Sequence, residues 1–182
     1  MFFAYDNLAI PEIHTGRKKL SAGSDCTLPV DDGYVSIRVG AIIIKDGKVL
    51  MVKNERQNYM YSVGGRVKFG ETSIQAVERE VYEETGVHME ADRLGFVHEN
   101  YFYADDNKKK GKVIYEISFY YFMNVPGEFR PVCNSVSEDN DKEKLEWIEV
   151  GSNGKYYPEF FRTELNNPCD GVKHIVTMDI NK

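Results

Sequence analysis

The sequence lacks long hydrophobic runs: the longest, AIII at 41–44, is far too short to cross a bilayer. Residues 1–20 contain no basic segment followed by a long apolar stretch, so no secretory leader is visible and we expect a cytoplasmic location. Cysteine is also scarce. Cys26, Cys133 and Cys169 lie far apart and form no motif with histidine, which excludes a disulfide framework and a zinc-finger spacing.

Positive charge is in deficit. The 23 Lys and Arg residues stand against 29 Asp and Glu, which gives a formal charge of −6. Non-specific nucleic-acid binding depends on many Lys and Arg contacts to phosphates, so no nucleic-acid partner is expected. An acidic protein that handles phosphates would need a cation between itself and the ligand.

The hydrophobic content, 42% of 182 residues, is sufficient for one globular domain. Residues 1–33 have little regular apolar patterning and predict an irregular N-terminal arm, with the domain itself at 34–182. Strands are predicted at YVSIRVGAIII and KVLMVKN, joined by a KDG turn, and at RLGFVHENYFY, KVIYEISFYYF, KLEWIEV and KHIVTMD. Helices are predicted at about 73–85 and 158–165, so a mixed sheet with helices against it is the expected α/β class.

The predicted helix at 73–85 concentrates negative charge. Thr72 and Gln75 form the pattern of a capping box at its start, and Gly86 marks its end. Its apolar stripe contains Ile74, Val77 and Val81.

Three glutamates, Glu80, Glu83 and Glu84, fall at i, i+3 and i+4 on the helix and are therefore neighbours in space. They repel one another unless a positive group lies between them. Arg79 can pair with Glu83, but one guanidinium cannot satisfy three acids, whereas Mg²⁺ binds through a few carboxylates and also accepts phosphate oxygens. A solvated acidic helix face is the simpler alternative. The glycines before the helix favour a ligand site, because such a loop allows close approach of a phosphate.

These residues resemble the Nudix box, G-x5-E-x7-R-E-U-x-E-E-x-G-U, where U is apolar. The chain matches each specified position, with these residues: Gly65, Glu71, Arg79, Glu80, Val81, Glu83, Glu84, Gly86 and Val87. The resemblance to Nudix (MutT-type) hydrolases implies an α/β/α sandwich with a central mixed sheet. It also implies Mg²⁺- or Mn²⁺-dependent cleavage of the diphosphate linkage in a nucleoside diphosphate joined to another group, such as ADP-ribose, a nucleoside triphosphate or a dinucleoside polyphosphate.

The resemblance also implies roles for single residues. Glu80, Glu83 and Glu84 would ligate the metal, with the Gly64 carbonyl completing the coordination, and one glutamate would act as the base. Coupled carboxylates share their titration, so Glu83 is only slightly preferred as base. Arg79 would orient the cluster.

Two further acids are candidates for supporting roles. Glu71 would support the loop or an outer metal shell. Glu116, in VIYEISFYYF, is the candidate for an additional acid from outside the box; a strand glutamate facing solvent is the equal alternative.

Substrate contacts are predicted less sharply. Arg38, Lys68 and Tyr103 are candidates, although a solvated loop lysine and a sheet-surface tyrosine are the simpler interpretations. A homodimer is compatible with the resemblance. Two alternatives stay open: a Nudix-fold nucleotide sensor without turnover, and an isoprenoid-diphosphate isomerase, for which the three cysteines match no obvious catalytic position.

Overall fold

The computed structural model describes residues 23–54, 58–104, 109–131 and 143–180. Residues 1–22 of the predicted arm, and Cys133, lie outside these ranges. The strands are β1 (Thr27–Val30), β2 (Gly33–Ile42), β3 (Ile44–Lys45), β4 (Lys48–Asn54), β5 (Met60–Ser62), β6 (Gly64–Arg66), β7 (Ala91–Tyr103), β8 (Val113–Met123), β9 (Glu143–Glu149), β10 (Tyr156–Tyr157) and β11 (Lys173–Met178). The helices are α1 (Ser73–Thr85) and α2 (Phe161–Glu164).

The larger sheet has the strand order β1-β2-β8-β7-β11, and β6 also pairs with β2. Strand β2 runs parallel to β8 and antiparallel to β1 and β6, so the sheet is mixed, as the sequence predicts. Strand β1 falls within the predicted arm. Residues 27–30 are therefore extended and not irregular. Pro29 fits there because β1 lies at the edge of the sheet, where a missing N–H costs no ladder hydrogen bond.

The smaller sheet has the order β10-β5-β4-β3, with β9 on β4. The KDG turn joins β3 and β4 as predicted: Asp46 and Gly47 both have positive φ, at 51° and 73°, which matches the twist of a two-residue hairpin. Short strands such as β5 and β6 were not predicted, because three residues carry too little periodicity.

Helix α1 packs against β2 and β6 through Ala76, Val77 and Val81, all fully buried. Its predicted limits are confirmed. Thr72 and Gln75 form the reciprocal capping box, and Gly86 ends the helix in the left-handed conformation at φ 71°. Because both ends of the helix are fixed, the acidic residues of α1 have defined positions beside β6.

A second core fills the other side of the larger sheet, where α2 packs Phe161 against Phe96 and Tyr120. Within the described ranges, no helix is long and apolar enough to span a membrane.

Candidate active site

The glycine pair before α1 brings backbone and carboxylates together. Gly64 and Gly65 lie in β6, and the Gly64 N–H donates to Glu84 Oε1 at 3.4 Å. A Cβ on Gly65 would lie 2.6 Å from Glu80 Oε2 and closer still to its carboxylate carbon. The glycine requirement of the box therefore has a local cause here: Glu80 packs directly on the Gly65 backbone.

Arg79 links three acids to the loop. Its Nη1 donates to Glu80 Oε1 at 2.6 Å and to Glu83 Oε2 at 3.1 Å, while Nε and Nη2 hold both oxygens of Glu71 at 3.0 and 2.7 Å. Nη2 also donates to the Arg66 carbonyl at 3.1 Å. The paired acids, Glu71 foremost, raise the pKa of the guanidinium above its usual range. Arg79 therefore fixes the helix to the loop, beyond the single pairing with Glu83 that its spacing predicts.

Glu84 is the most buried acid of the cluster, at 8% exposure. Among the residues that the structure describes, none forms a hydrogen bond with its Oε2. Burial, with the neighbouring charges of Glu80 and Glu143, raises its pKa well above the usual value. A buried carboxylate oxygen without a partner is costly, so this position is suited to a ligand that supplies positive charge.

The other two glutamates of the helix differ in exposure. Burial raises the pKa of Glu80, although Arg79 opposes the shift, and its side chain is 14% exposed. Glu83 is 49% exposed. Across the described ranges, no three Asp, Glu, His or Cys side chains are arranged closely enough to enclose a metal ion. Glu80 and Glu83 each accept a hydrogen bond from Arg79 through one carboxylate oxygen, whereas the described contacts of Glu84 do not include Arg79. The donors nevertheless suit a hard divalent cation, because all are carboxylate oxygens and one is buried without a partner.

Glu71 and Lys68 shape the loop between β6 and α1. Glu71 Oε1 accepts from the Lys68 N–H at 2.7 Å. Burial acts to raise the pKa of Glu71, but hydrogen bonds from Arg79 and from this N–H lower it overall. These contacts hold Glu71 against the loop, and its supporting role in the site stays a prediction.

Glu116 pairs with a cation on the neighbouring strand β2. It faces Arg38, with Oε2 3.6 Å from Arg38 Nε, and accepts from Ser118 Oγ at 3.1 Å. The structure therefore places it beside a cation on the sheet, and its role as an additional acid stays a prediction. The parallel pairing of β2 with β8, which brings these two strands together, cannot be read from either strand alone.

Tyr103 is separated from Arg38 along the sheet. It lies opposite Val113, which pairs with Gly33, and Arg38 is five residues further along β2. At about 3.3 Å per residue this is roughly 16 Å along the strand. Tyr103 is also 53% exposed.

Sequence reasoning missed Glu143 at the start of β9. Tyr61 donates a hydrogen bond to its Oε1, and its charge contributes to the raised pKa of Glu84. Glu143 lies near Tyr61 because β9 pairs antiparallel with β4, and β4 in turn pairs with β5. The acidic run SEDNDKEKLE holds several acids, and no spacing rule distinguishes Glu143 among them.

Replacing Arg79 with lysine is expected to destabilise the fold by about 2 kcal/mol, because a single ammonium cannot reproduce the fork that holds Glu71, Glu80 and the Arg66 carbonyl. Urea unfolding with an unchanged m-value measures this. Arg162→Lys is the matched control, since the exposed Arg162 guanidinium donates to the Gly154 carbonyl and lies 5.7 Å from the Tyr156 ring but holds no carboxylate network. Equal stability of both variants would show that the Arg79 network contributes little.

The chain is similar to known proteins. The NUDIX domain model matches residues 36–162. A MutT-like protein of Streptomyces ambofaciens is 34% identical over 61 residues, a match that spans 34% of this chain and 40% of that protein.

Solved structures share the fold. A MutT NUDIX hydrolase from Burkholderia pseudomallei has a TM-score of 0.51 at 25% identity, over 72% of this chain and 96% of that one. A MutT protein from Bacillus halodurans has a TM-score of 0.53 at 18% identity, over 79% of this chain and 91% of that one. An ADP-ribose pyrophosphatase from Streptococcus suis has a TM-score of 0.51 at 17% identity, over 78% of this chain and 98% of that one. Since the family model covers well over half of the sequence and includes every residue of the acidic cluster on α1, the chain belongs to the NUDIX domain family.

Proposed function

We propose that this protein is a divalent-metal-dependent hydrolase that cleaves the diphosphate linkage of a nucleoside diphosphate joined to another group. The observation that carries the proposal is Glu84, a buried carboxylate with one unpartnered oxygen beside Glu80. Members of this family generally need a divalent metal and act on small nucleotides. A buried unpaired acid in such a family is best explained as a metal ligand.

Glu80, Glu84 and Glu83 would hold Mg²⁺ or Mn²⁺, with the Gly64 carbonyl as a further oxygen donor. Such a cation supplies a water of lowered pKa and neutralises charge on phosphate oxygens. The chain itself sets the positions of the acids: Arg79 fixes Glu80, and the Gly64 N–H holds one oxygen of Glu84. Glu83, half exposed to solvent, is the candidate to take a proton from water.

A substrate panel tests the function. The compounds are ADP-ribose, nucleoside triphosphates, dinucleoside polyphosphates and NDP-sugars, each with Mg²⁺, with Mn²⁺ and with EDTA, and the readout is released phosphate or nucleoside monophosphate. We expect turnover of at least one compound, which EDTA abolishes and added metal restores. Release that is insensitive to EDTA would contradict the metal proposal. Binding without any release would support a sensor in place of a hydrolase.

A pair of variants distinguishes the two acids outside the box. Glu143→Gln is expected to weaken Mn²⁺ binding about tenfold, because Glu143 contributes to the field at Glu84. Glu116→Gln is expected to leave Mn²⁺ affinity unchanged, since Glu116 faces Arg38. Titration calorimetry with Mn²⁺ measures both. If Glu116→Gln weakened Mn²⁺ binding and Glu143→Gln did not, Glu116 and not Glu143 would be the acid that supports the metal site.

A further inference from the structure

Large apolar side chains cross the larger sheet on one face, from edge to edge. Residues opposite each other in paired strands project from the same face. One row of such partners consists of Leu28, Val35, Tyr115, Tyr101 and Met178. The rows on either side of it add Val30, Val113 and Tyr103, and Ile37, Ile117 and Val176. We call these residues together the apolar patch.

The outer members of the apolar patch are open to solvent. Their exposed fractions are Leu28 63%, Tyr103 53%, Val176 52%, Met178 51% and Val30 48%. At the centre, the rings of Tyr101 and Tyr115 are stacked with their centroids 4.3 Å apart. Singly exposed apolar side chains are ordinary on a protein surface, whereas a contiguous group of them marks an interaction site.

The acid at the border of the apolar patch is already paired. Glu99 projects from the same face; Tyr115 donates to its Oε2 at 2.5 Å, and His174 Nε2 lies 2.7 Å from its Oε1. The core of a protein interface is enriched in aromatic residues and methionine and depleted in charge. The composition of the apolar patch is therefore typical of an interface core.

Helix α1 covers the same face of the sheet at its other end. Val39 of β2, two residues beyond Ile37, packs there with Val77 and Val81 of α1. The helix therefore forms a layer about 10 Å thick beside the apolar patch. Two stacked sheets also lie about 10 Å apart, so a second sheet fits over the patch in the same layer as α1.

We propose that the apolar patch binds the same patch of a second copy of this chain, in a two-fold dimer whose larger sheets stack face to face. Because α1 occupies the other end of the face, the two copies are antiparallel, and α1 of each lies beside the end of the other copy's sheet. The patch spans five strands. Its footprint is roughly 500 Å² per copy and about 1,000 Å² for the pair, which reaches the size of a specific interface. This inference is independent of the proposed function.

Sedimentation velocity of the full chain, from about 1 to about 200 µM, tests the dimer. The wild type is expected to shift from the 20.9 kDa chain to twice that mass, with a Kd in the micromolar range. Leu28→Lys and Met178→Lys are each expected to raise the dimer Kd about a hundredfold. Burial of one unpaired charge accounts for about tenfold, and two-fold symmetry places each lysine in the interface twice.

Tyr82→Lys is the matched control. It introduces the same charge at an apolar residue of α1 that is 46% exposed and stacks on His88. His88 lines a cavity with Asn124, just after the end of β8, whereas the apolar patch lies at the start of β8. The dimer Kd should therefore be unchanged. If a lysine variant does not fold, Leu28→Thr and Met178→Thr remove apolar contact from the patch, and a weaker dimer is again expected.

A wild type that stays a monomer up to about 200 µM would overturn the inference. A dimer with the same Kd in the Leu28→Lys, Met178→Lys and Tyr82→Lys variants would also overturn it, because the interface would then lie on another surface. Neither result bears on the proposed function, which the substrate panel tests separately.

Discussion

Glu84→Gln is expected to lower turnover at least about a thousandfold while leaving the metal-free protein at least as stable as the wild type. Turnover falls because the substitution removes a ligand charge at nearly constant shape. Stability is kept because the wild-type carboxylate is 8% exposed, has one oxygen without a partner and lies near Glu80 and Glu143. Loss of a buried unpaired charge costs the fold nothing.

Thermal unfolding with and without Mn²⁺ measures how much stabilisation by the metal this substitution removes. A ligand that binds only the folded state stabilises it by about 2.7 kcal/mol at 100 times Kd, and Glu84→Gln should lose most of that gain. Glu149→Gln is the matched control, since it removes the same charge from a side chain that is 67% exposed. A Glu84→Gln protein with full activity, or one that unfolds without metal, would show that Glu84 has a structural role only.

Gly65→Ala is the second substitution with a large expected effect. The new Cβ would lie 2.6 Å from Glu80 Oε2, and the end of the Glu80 side chain must move away from it. Moving a side-chain end is cheap for the fold but displaces a proposed metal ligand. We expect a folded protein whose Mn²⁺ affinity and turnover fall about a hundredfold, near the upper end of effects seen when ligand orientation is disturbed.

Gly64→Ala provides the contrast. Gly64 has φ 146°, and a Cβ there would lie 2.8 Å from Gly40 Cα and closer still to the Val39 carbonyl oxygen, all of them backbone atoms. This variant should unfold at a clearly lower temperature, because the backbone of β2 cannot give way as a side chain can. If Gly65→Ala retained full metal affinity, close packing of Glu80 on β6 would not be needed for the site.

Local features of α1 could be predicted from the sequence because they depend on neighbouring residues. The capping box of Thr72 and Gln75 and the left-handed Gly86 follow from short-range hydrogen bonding. The burial of Glu84 could also be predicted from the spacing along the helix. It lies at i+7 from Val77 on the apolar stripe, whereas Ile74, taken as part of that stripe, is 36% exposed.

Partners from distant strands could not be predicted. Arg38 meets Glu116 through a parallel pairing and Arg66 through an antiparallel one, and neither register is encoded in one strand. Glu143 reaches the field of Glu84 only through β9, β4 and β5. The boundary between arm and domain at residue 33 stays a prediction, although β1 already pairs with β2 before it.

A crystal grown with Mn²⁺ tests the central claim most directly, by the anomalous signal of the ion. The account predicts a peak about 2.2 Å from carboxylate oxygens of Glu84 and Glu80, with Glu84 Oε2 among the ligands. A map with no peak beside α1, in a protein that still hydrolyses its substrate with Mn²⁺, would contradict it.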